Sequence, residues 1–184
     1  MNLDNNGWMS DTVHLYSPNQ DDRSDKAVRL LVVHGISLPP GMFDGDAIEH
    51  LFRNTLDCDS HPFYNTLRNL RVSAHFLLRR DGQLTQFVSC NRRAWHAGES
   101  CWRGKTKVND FSIGVELEGT DDIPYETVQY TKLTTLIQSL AACYTPLAVA
   151  GHEHIAPKRK TDPGPAFDWE KLFKLIGTHC DGRP

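Results

Sequence analysis

Residues 28–35 read VRLLVVHG, an apolar run closed by a glycine. A strand with one wet face alternates apolar and polar residues, whereas an unbroken run marks a strand covered on both faces. Such a strand belongs in the middle of a sheet with helices packed on it. His34 stands at its end.

The flanking segments supply the rest of that architecture. Residues 46–56, DAIEHLFRNTL, space Ile48, Leu51, Phe52 and Leu56 along one helical face. Residues 74–88, AHFLLRRDGQLTQFV, hold Asp81-Gly82 between two apolar arms, which predicts a hairpin with a two-residue turn. In FSIGVELEG at 111–119, Ile113, Val115 and Leu117 alternate with Ser112, Gly114, Glu116 and Glu118, as a strand requires. Residues 124–144 open with Pro124, suited to a first helical turn, and carry a stripe of Leu133, Leu136, Ile137, Leu140 and Ala141. A short strand, LAVA at 147–150, precedes a last helix capped by Asp168 that buries Trp169, Leu172, Phe173 and Ile176. The expectation is a mixed α/β fold, a central mixed β-sheet flanked by helices, in a single domain over residues 1–184. Its core is expected over about 27–178, because SPNQDDRSDKA at 17–27 is polar and turn-rich and leaves the N-terminal segment peripheral.

The composition excludes several classes. Twenty Lys+Arg against 23 Asp+Glu leave a net charge of −3, unlike the strongly basic balance of a nucleic-acid-binding domain. No apolar run approaches the roughly 18 residues that span a membrane. The opening MNLDNNGWMSDTVHLY has neither the basic nor the apolar region of a secretory signal. The cysteines Cys58, Cys90, Cys101, Cys143 and Cys180 are scattered, with no C-x-x-C pair. A cytoplasmic protein without a disulfide framework is expected.

Reactive side chains gather in GHEHIAPKRKTDPGP at 151–165. Pro157, Pro163 and Pro165, with Gly164, argue against a regular helix and for a stiff loop. If the strand at 147–150 runs beside that at 28–35 in the same direction, His34 and His152 emerge at one end of the sheet, where open α/β sheets bind ligands. Asp162 can return there on the loop. Two histidines and a carboxylate with a fourth position open form a catalytic metal pattern. Plainer readings stand beside it: a histidine ending an apolar strand can be a satisfied core residue, and Asp162 before a proline can be a turn former. His152 and His154 face opposite ways in an extended chain, and spacing does not choose between them. Glu116 is either solvent-facing with Glu118 or a general base aimed into a crevice. Lys160 is either part of a solvated charge run or an oxyanion-stabilising cation. His75, among apolar residues on the hairpin, suits a structural role or one supporting a ligand from behind. His96 and Trp95, in AWHAG, sit on a loop expected to rim the site, His96 contacting substrate or merely packing the loop, Trp95 offering a flat face to a sugar or packing into the core.

VVHGISLPPG, VSAHFLLRRDGQLTQFV, AWHAGES, NDFSIGVELEGTD and GHEHIAPKRKTDPGPAFDW resemble, in order, the AmpD-type 1,6-anhydro-N-acetylmuramyl-L-alanine amidases. These belong to the zinc amidase group that includes the peptidoglycan recognition proteins and the amidase-lysozymes of phages. The likeness runs from about residue 12 to about residue 175, and GHEHIAPKRKTDPGPAFDW is its most specific part. It implies one Zn2+ on His34, His152 and Asp162, thereby choosing His152 over His154. It also implies Glu116 as catalytic acid/base and Lys160 as transition-state lysine. Substrate contacts are implied for Arg71, Trp95, Lys107 and Asn109. The implied reaction is cleavage of the lactyl–L-alanine amide of anhydro-muropeptides during cell-wall recycling in the cytoplasm. The protein is expected to act as a monomer, and its loss to let muropeptides accumulate, which in some bacteria induces a β-lactamase. Two positions depart from the family pattern: Gly35 replaces its asparagine and Lys107 its arginine. Lysine lacks the planar fork that grips a carboxylate, so affinity and preference within the substrate class are expected to differ. The alternatives are a non-catalytic peptidoglycan-binding module and a zinc peptidase acting on the stem peptide.

Overall fold

The computed structural model describes residues 1–24, 27–145 and 147–177; Asp25, Lys26 and Cys180, together with the last position of the expected core, lie outside them. Along the chain run β1 (Val13–His14), β2 (Gln20–Asp22), β3 (Leu30–Ile36), α1 (Ala47–Phe52), α2 (Pro62–Asn65), β4 (Phe76–Leu78), β5 (Leu84–Gln86) and β6 (Arg92–Ala94). Next come β7 (Cys101–Trp102), β8 (Lys105–Thr106), a 3-10 turn (Val108–Phe111), β9 (Ser112–Glu118), α3 (Thr127–Ala141), β10 (Ala148–Gly151), α4 (His152–Ile155) and α5 (Trp169–Ile176). Six strands form one sheet in the order β1-β5-β4-β9-β3-β10, while β2 with β6 and β7 with β8 make small ribbons.

β3 lies inside the sheet, as its apolar run predicts, in parallel with β9 on one side and β10 on the other. β4 is parallel to β9 and antiparallel to β5, so the sheet is mixed. Leu30, Leu31, Val32 and Val33 are all fully buried, and strand alternation divides them between two layers. Leu31 and Val33, with Ile113, Val115 and Leu117, pack against the stripe of α3 and the buried face of α5. Leu30 and Val32 join Phe111, Ala150 and Ile155 on the opposite side. His34 continues the parity of Leu30 and Val32, so it stands on the face away from α3. Glu116 has the matching parity in β9 and sits beside His34 in register.

Several details depart from the sequence expectation. The hairpin forms, but its turn takes in Arg80 to Gly82: Gly82 N–H donates to the Arg79 carbonyl and the Asp81 carboxylate accepts from Gln83 N–H, 2.8 Å. α3 starts at Thr127, after Pro124, because Gln129 Oε1 accepts the Glu126 N–H at 2.9 Å and closes the helix there. The N-terminal segment is no appendage. Met9 is fully buried in the core and β1 pairs with β5 at the sheet's edge. Glu118 is buried rather than solvated, in an ion pair with Arg79 at 3.2 Å. The 151–165 loop opens with one helical turn, α4, before Pro157 ends it. No helix among the described residues is long and apolar enough to cross a membrane.

His75 takes a structural role. Fully buried, it accepts from Gly114 N–H through Nδ1 at 3.0 Å and donates to the Arg92 carbonyl through Nε2 at 3.1 Å. Burial, then the Arg23 charge, lowers its pKa to about 3. The unfolded chain therefore binds a proton that the fold excludes, and stability falls as pH drops below the ordinary histidine value. Between about pH 7.5 and about pH 5, wild type is expected to lose about 2 kcal/mol more than His75→Gln in urea unfolding. Equal losses would contradict this account of His75.

Candidate metal centre and active site

The parallel ends of β3 and β10 set His34 and His152 side by side. Their Nδ1 atoms are 2.9 Å apart, and Asp162 Oδ2 lies 3.3 Å from the first and 3.1 Å from the second. A tetrahedral ion with ligands at about 2.0–2.2 Å holds them roughly 3.3 Å from one another. The triangle is close to the one a single ion would impose. His152 Nε2 faces the Ala97 carbonyl at 3.3 Å. A proton on Nε2 would be donated to that carbonyl and leave the Nδ1 lone pair facing the triangle. Lone pairs and a carboxylate aimed at one point repel unless a cation lies between them. His34, His152 and Asp162 can therefore hold a metal ion.

The helical turn of α4 separates the two histidines that spacing left equivalent. His154 turns away, its Nδ1 accepting from Gly151 N–H at 2.8 Å and its ring packed on Trp169. Asp162 is brought back by Glu153 N–H, which donates to its carbonyl at 2.9 Å. Beside it, the Tyr125 hydroxyl donates to the Pro163 carbonyl at 3.0 Å. The tyrosine fits only because residue 35 is glycine: a Cβ there would lie 2.4 Å from the hydroxyl oxygen. The departure at Gly35 thus has a local steric reason. Burial alone would raise the Asp162 carboxyl, but the His152 and His34 rings outweigh it and hold the group well below the usual carboxylate range.

Glu116 Oε1 stands 4.0 Å from His34 Nδ1. Burial, followed by the Asp162 charge, pushes its pKa up to about 8 against the pull of Lys160. A carboxyl so placed can take and return a proton near neutral pH. Lys160 lines the same cleft of about 570 Å³, as do Arg71, Trp95, His96 and Asn109. A larger hollow of about 930 Å³ beside α5, lined by Trp169 and Lys174, contains none of the converging ligands.

The expected substrate contacts separate in the structure. Arg71 is on the cleft wall, its guanidinium donating to the carbonyls of Arg68 and Leu70 at 3.1 and 2.9 Å. Trp95 lines the cleft too. Asn109 Oδ1 accepts from the backbone N–H groups of His96 and Ala97, at 3.2 and 2.8 Å, and so shapes the loop. Lys107 is exposed at a left-handed corner, φ 57°, outside the cleft lining among the described residues. Sequence reasoning missed Tyr125, and also Arg159 as a clamp that donates to the carbonyls of Ala97 and Glu99 at 2.8 and 2.7 Å. No local pattern announces either pairing.

Two histidines and an aspartate at a strand end, with a largely enclosed glutamate and a lysine in the same cleft, are a set that could hold a metal ion beside a proton-transferring carboxyl. The chain belongs to the N-acetylmuramoyl-L-alanine amidase family, whose profile matches residues 24–165. Over 96% of its length it is 50% identical to the 1,6-anhydro-N-acetylmuramyl-L-alanine amidase AmpD of Enterobacter cloacae, 96% of which is covered. A crystal structure of a selenomethionine AmpD derivative matches it with a TM-score of 0.93 and 47% identity, over 96% of this chain and all of that one. The Escherichia coli amidase AmiD, solved in complex with the substrate anhydro-N-acetylmuramic acid-L-Ala-D-γ-Glu-L-Lys, matches at TM-score 0.57 and 33% identity, over 80% of this chain and 57% of that one.

Gly35→Ala is expected to expel the Tyr125 hydroxyl and leave the Pro163 carbonyl unpaired, costing about 1–3 kcal/mol in chemical denaturation. Tyr125→Phe is expected to shift stability in the same direction. Unchanged stability in both would show that the bond contributes nothing.

Proposed function

We propose that the protein hydrolyses the amide between 1,6-anhydro-N-acetylmuramic acid and L-alanine in anhydro-muropeptides, using one zinc ion. The observation that carries this reading is the triangle of His34, His152 and Asp162 with Glu116 poised 4.0 Å from it. Nitrogen and oxygen ligands in a three-residue set with an open position suit zinc. A zinc ion there would supply Lewis acidity, easing deprotonation of water and polarising the amide carbonyl. Glu116 takes the proton from the attacking water, and its raised pKa suits it to hold that proton. Lys160, which lines the same cleft, stabilises the negative charge that develops on the lactyl carbonyl oxygen. Glu116 then delivers the proton to the departing L-alanine nitrogen, which leaves as the amine of the free peptide.

Arg71 and Trp95 hold the sugar and peptide on the cleft wall once Arg71 leaves its backbone acceptors. Asn109 contributes by fixing the loop at His96, and Lys107 meets only the part of the substrate that extends beyond the cleft. The likeness to AmpD over nearly the whole chain supports a role in cell-wall recycling, in the cytoplasm, by a monomer that engages neither nucleic acid nor membrane. Through substrate accumulation, its loss would induce a β-lactamase in hosts that couple the two. A binding module would have no use for a largely enclosed carboxyl poised beside the triangle, so the enzymatic reading is preferred.

Mass spectrometry of anhydromuramyl-tripeptide incubated with zinc-loaded protein tests the reading. Wild type is expected to release intact tripeptide, Glu116→Gln to bind zinc but slow cleavage about 10²–10⁴-fold, and Asp162→Ala to lose zinc and activity together. Cleavage within the peptide would indicate a peptidase. Intact substrate with zinc bound to wild type would indicate a binding module.

A further inference from the structure

Behind His34 lies a chain of hydrogen bonds that the reaction does not use directly. The Ser112 hydroxyl is 2.7 Å from the Val108 carbonyl oxygen and 3.2 Å from His96 Nε2. His96 Nδ1 is in turn 2.9 Å from His34 Nε2. All three side chains are buried, His96 at 8% exposure and the others at 1% or less.

The direction of every bond in this chain is determined. A carbonyl oxygen can only accept, so the single hydroxyl hydrogen of Ser112 goes to Val108. Ser112 Oγ then has only lone pairs left for His96, and His96 Nε2 must carry a hydrogen and donate it. A neutral imidazole has one N–H, so His96 Nδ1 is bare and accepts from His34 Nε2. His34 has then spent its one hydrogen, and its Nδ1 lone pair faces His152 and Asp162.

The seat of His96 is built for this contact. Its ring packs against β9 at Gly114, where an added Cβ would sit 2.4 Å from the His96 Cγ. Any other residue at 114 would push the ring off the line between Ser112 and His34. Asn109 fixes the backbone at His96 from the other side.

We infer that His96, backed by Ser112 and the Val108 carbonyl, is a positioning residue that fixes the tautomer of His34 and so presents Nδ1 ready to bind the metal. This rests on His34 being a metal ligand, as proposed above. A ligand's outer hydrogen-bond partner typically changes metal affinity about 10–100-fold when removed.

Long-range ¹⁵N–¹H correlation spectra of the metal-free wild-type protein read the tautomer directly and need no variant. His34 is expected as the Nε2–H form; an Nδ1–H form would overturn the inference. Zinc affinity, measured by competition with a chromophoric chelator, separates positioning from packing. His96→Leu fills the space without an acceptor and is expected to lose about 10–100-fold. Ser112→Ala, which frees His96 to flip its own tautomer, should lose affinity in the same direction. His96→Gln, whose carbonyl can accept from His34 Nε2–H, is expected to recover most of it. Wild-type affinity in His96→Leu would overturn the inference. The tautomer is read without metal, so failure of wild type to bind zinc would refute the proposed function separately.

Discussion

The parallel pairing of β3 with β9 and β10 is the constraint from which the site follows. It sets the ends of three strands level, so that His34, Glu116 and the start of α4 at His152 meet at one edge. A slip of one residue would turn His34 under α3 and bring Val33 to the cleft. The register is held by apolar burial on both faces: Leu31 and Val33 beneath α3, and Leu30 and Val32 against Phe111 and Ile155. Placement on a rigid strand for His34, and directly after one for His152, gives these two proposed ligands a precision that loops alone rarely supply.

The loop that returns Asp162 is short of regular structure but well tied. Tyr125, Glu153 and the cleft-side clamp of Arg159 hold it through backbone carbonyls. From His34 in the ligand triangle a buried file of imidazoles continues through His96 to His75, with ring centroids 5.0 and 5.8 Å apart. Burial keeps all three reluctant to take protons. The interior thus offers neutral nitrogen, with the carboxyl groups of Asp162 and Glu116 beside it, to one incoming cation.

What the sequence disclosed was whatever depends on local period. The unbroken run at β3, the alternation of β9 and the stripe of α3 all read correctly, because burial selects residue type at a fixed spacing. Element edges were less legible. The start of α3 depends on the Gln129 side chain reaching back to Glu126, and the hairpin turn on the Asp81 carboxylate. The N-terminal segment looked peripheral because its composition is polar, yet Met9 is anchored by the Gln86 side chain, which accepts its N–H at 2.7 Å. For the site, the strand ends gave His34 and His152 only on the condition that their strands be neighbours, and family likeness had to choose between His152 and His154. The His96–Ser112 and Tyr125–Pro163 contacts join residues far apart in the chain, where no spacing rule applies. Asn109 appeared as a substrate contact from likeness, and in the fold its side-chain oxygen is taken by the loop it shapes.

Anomalous diffraction from zinc-soaked crystals, collected on both sides of the zinc edge, addresses the central claim most directly. The expected result is a single strong peak inside the triangle of His34 Nδ1, His152 Nδ1 and Asp162 Oδ2, with Glu116 outside bonding distance. A peak that instead lay against His154 and Glu153, or no ordered zinc in the triangle, would contradict it.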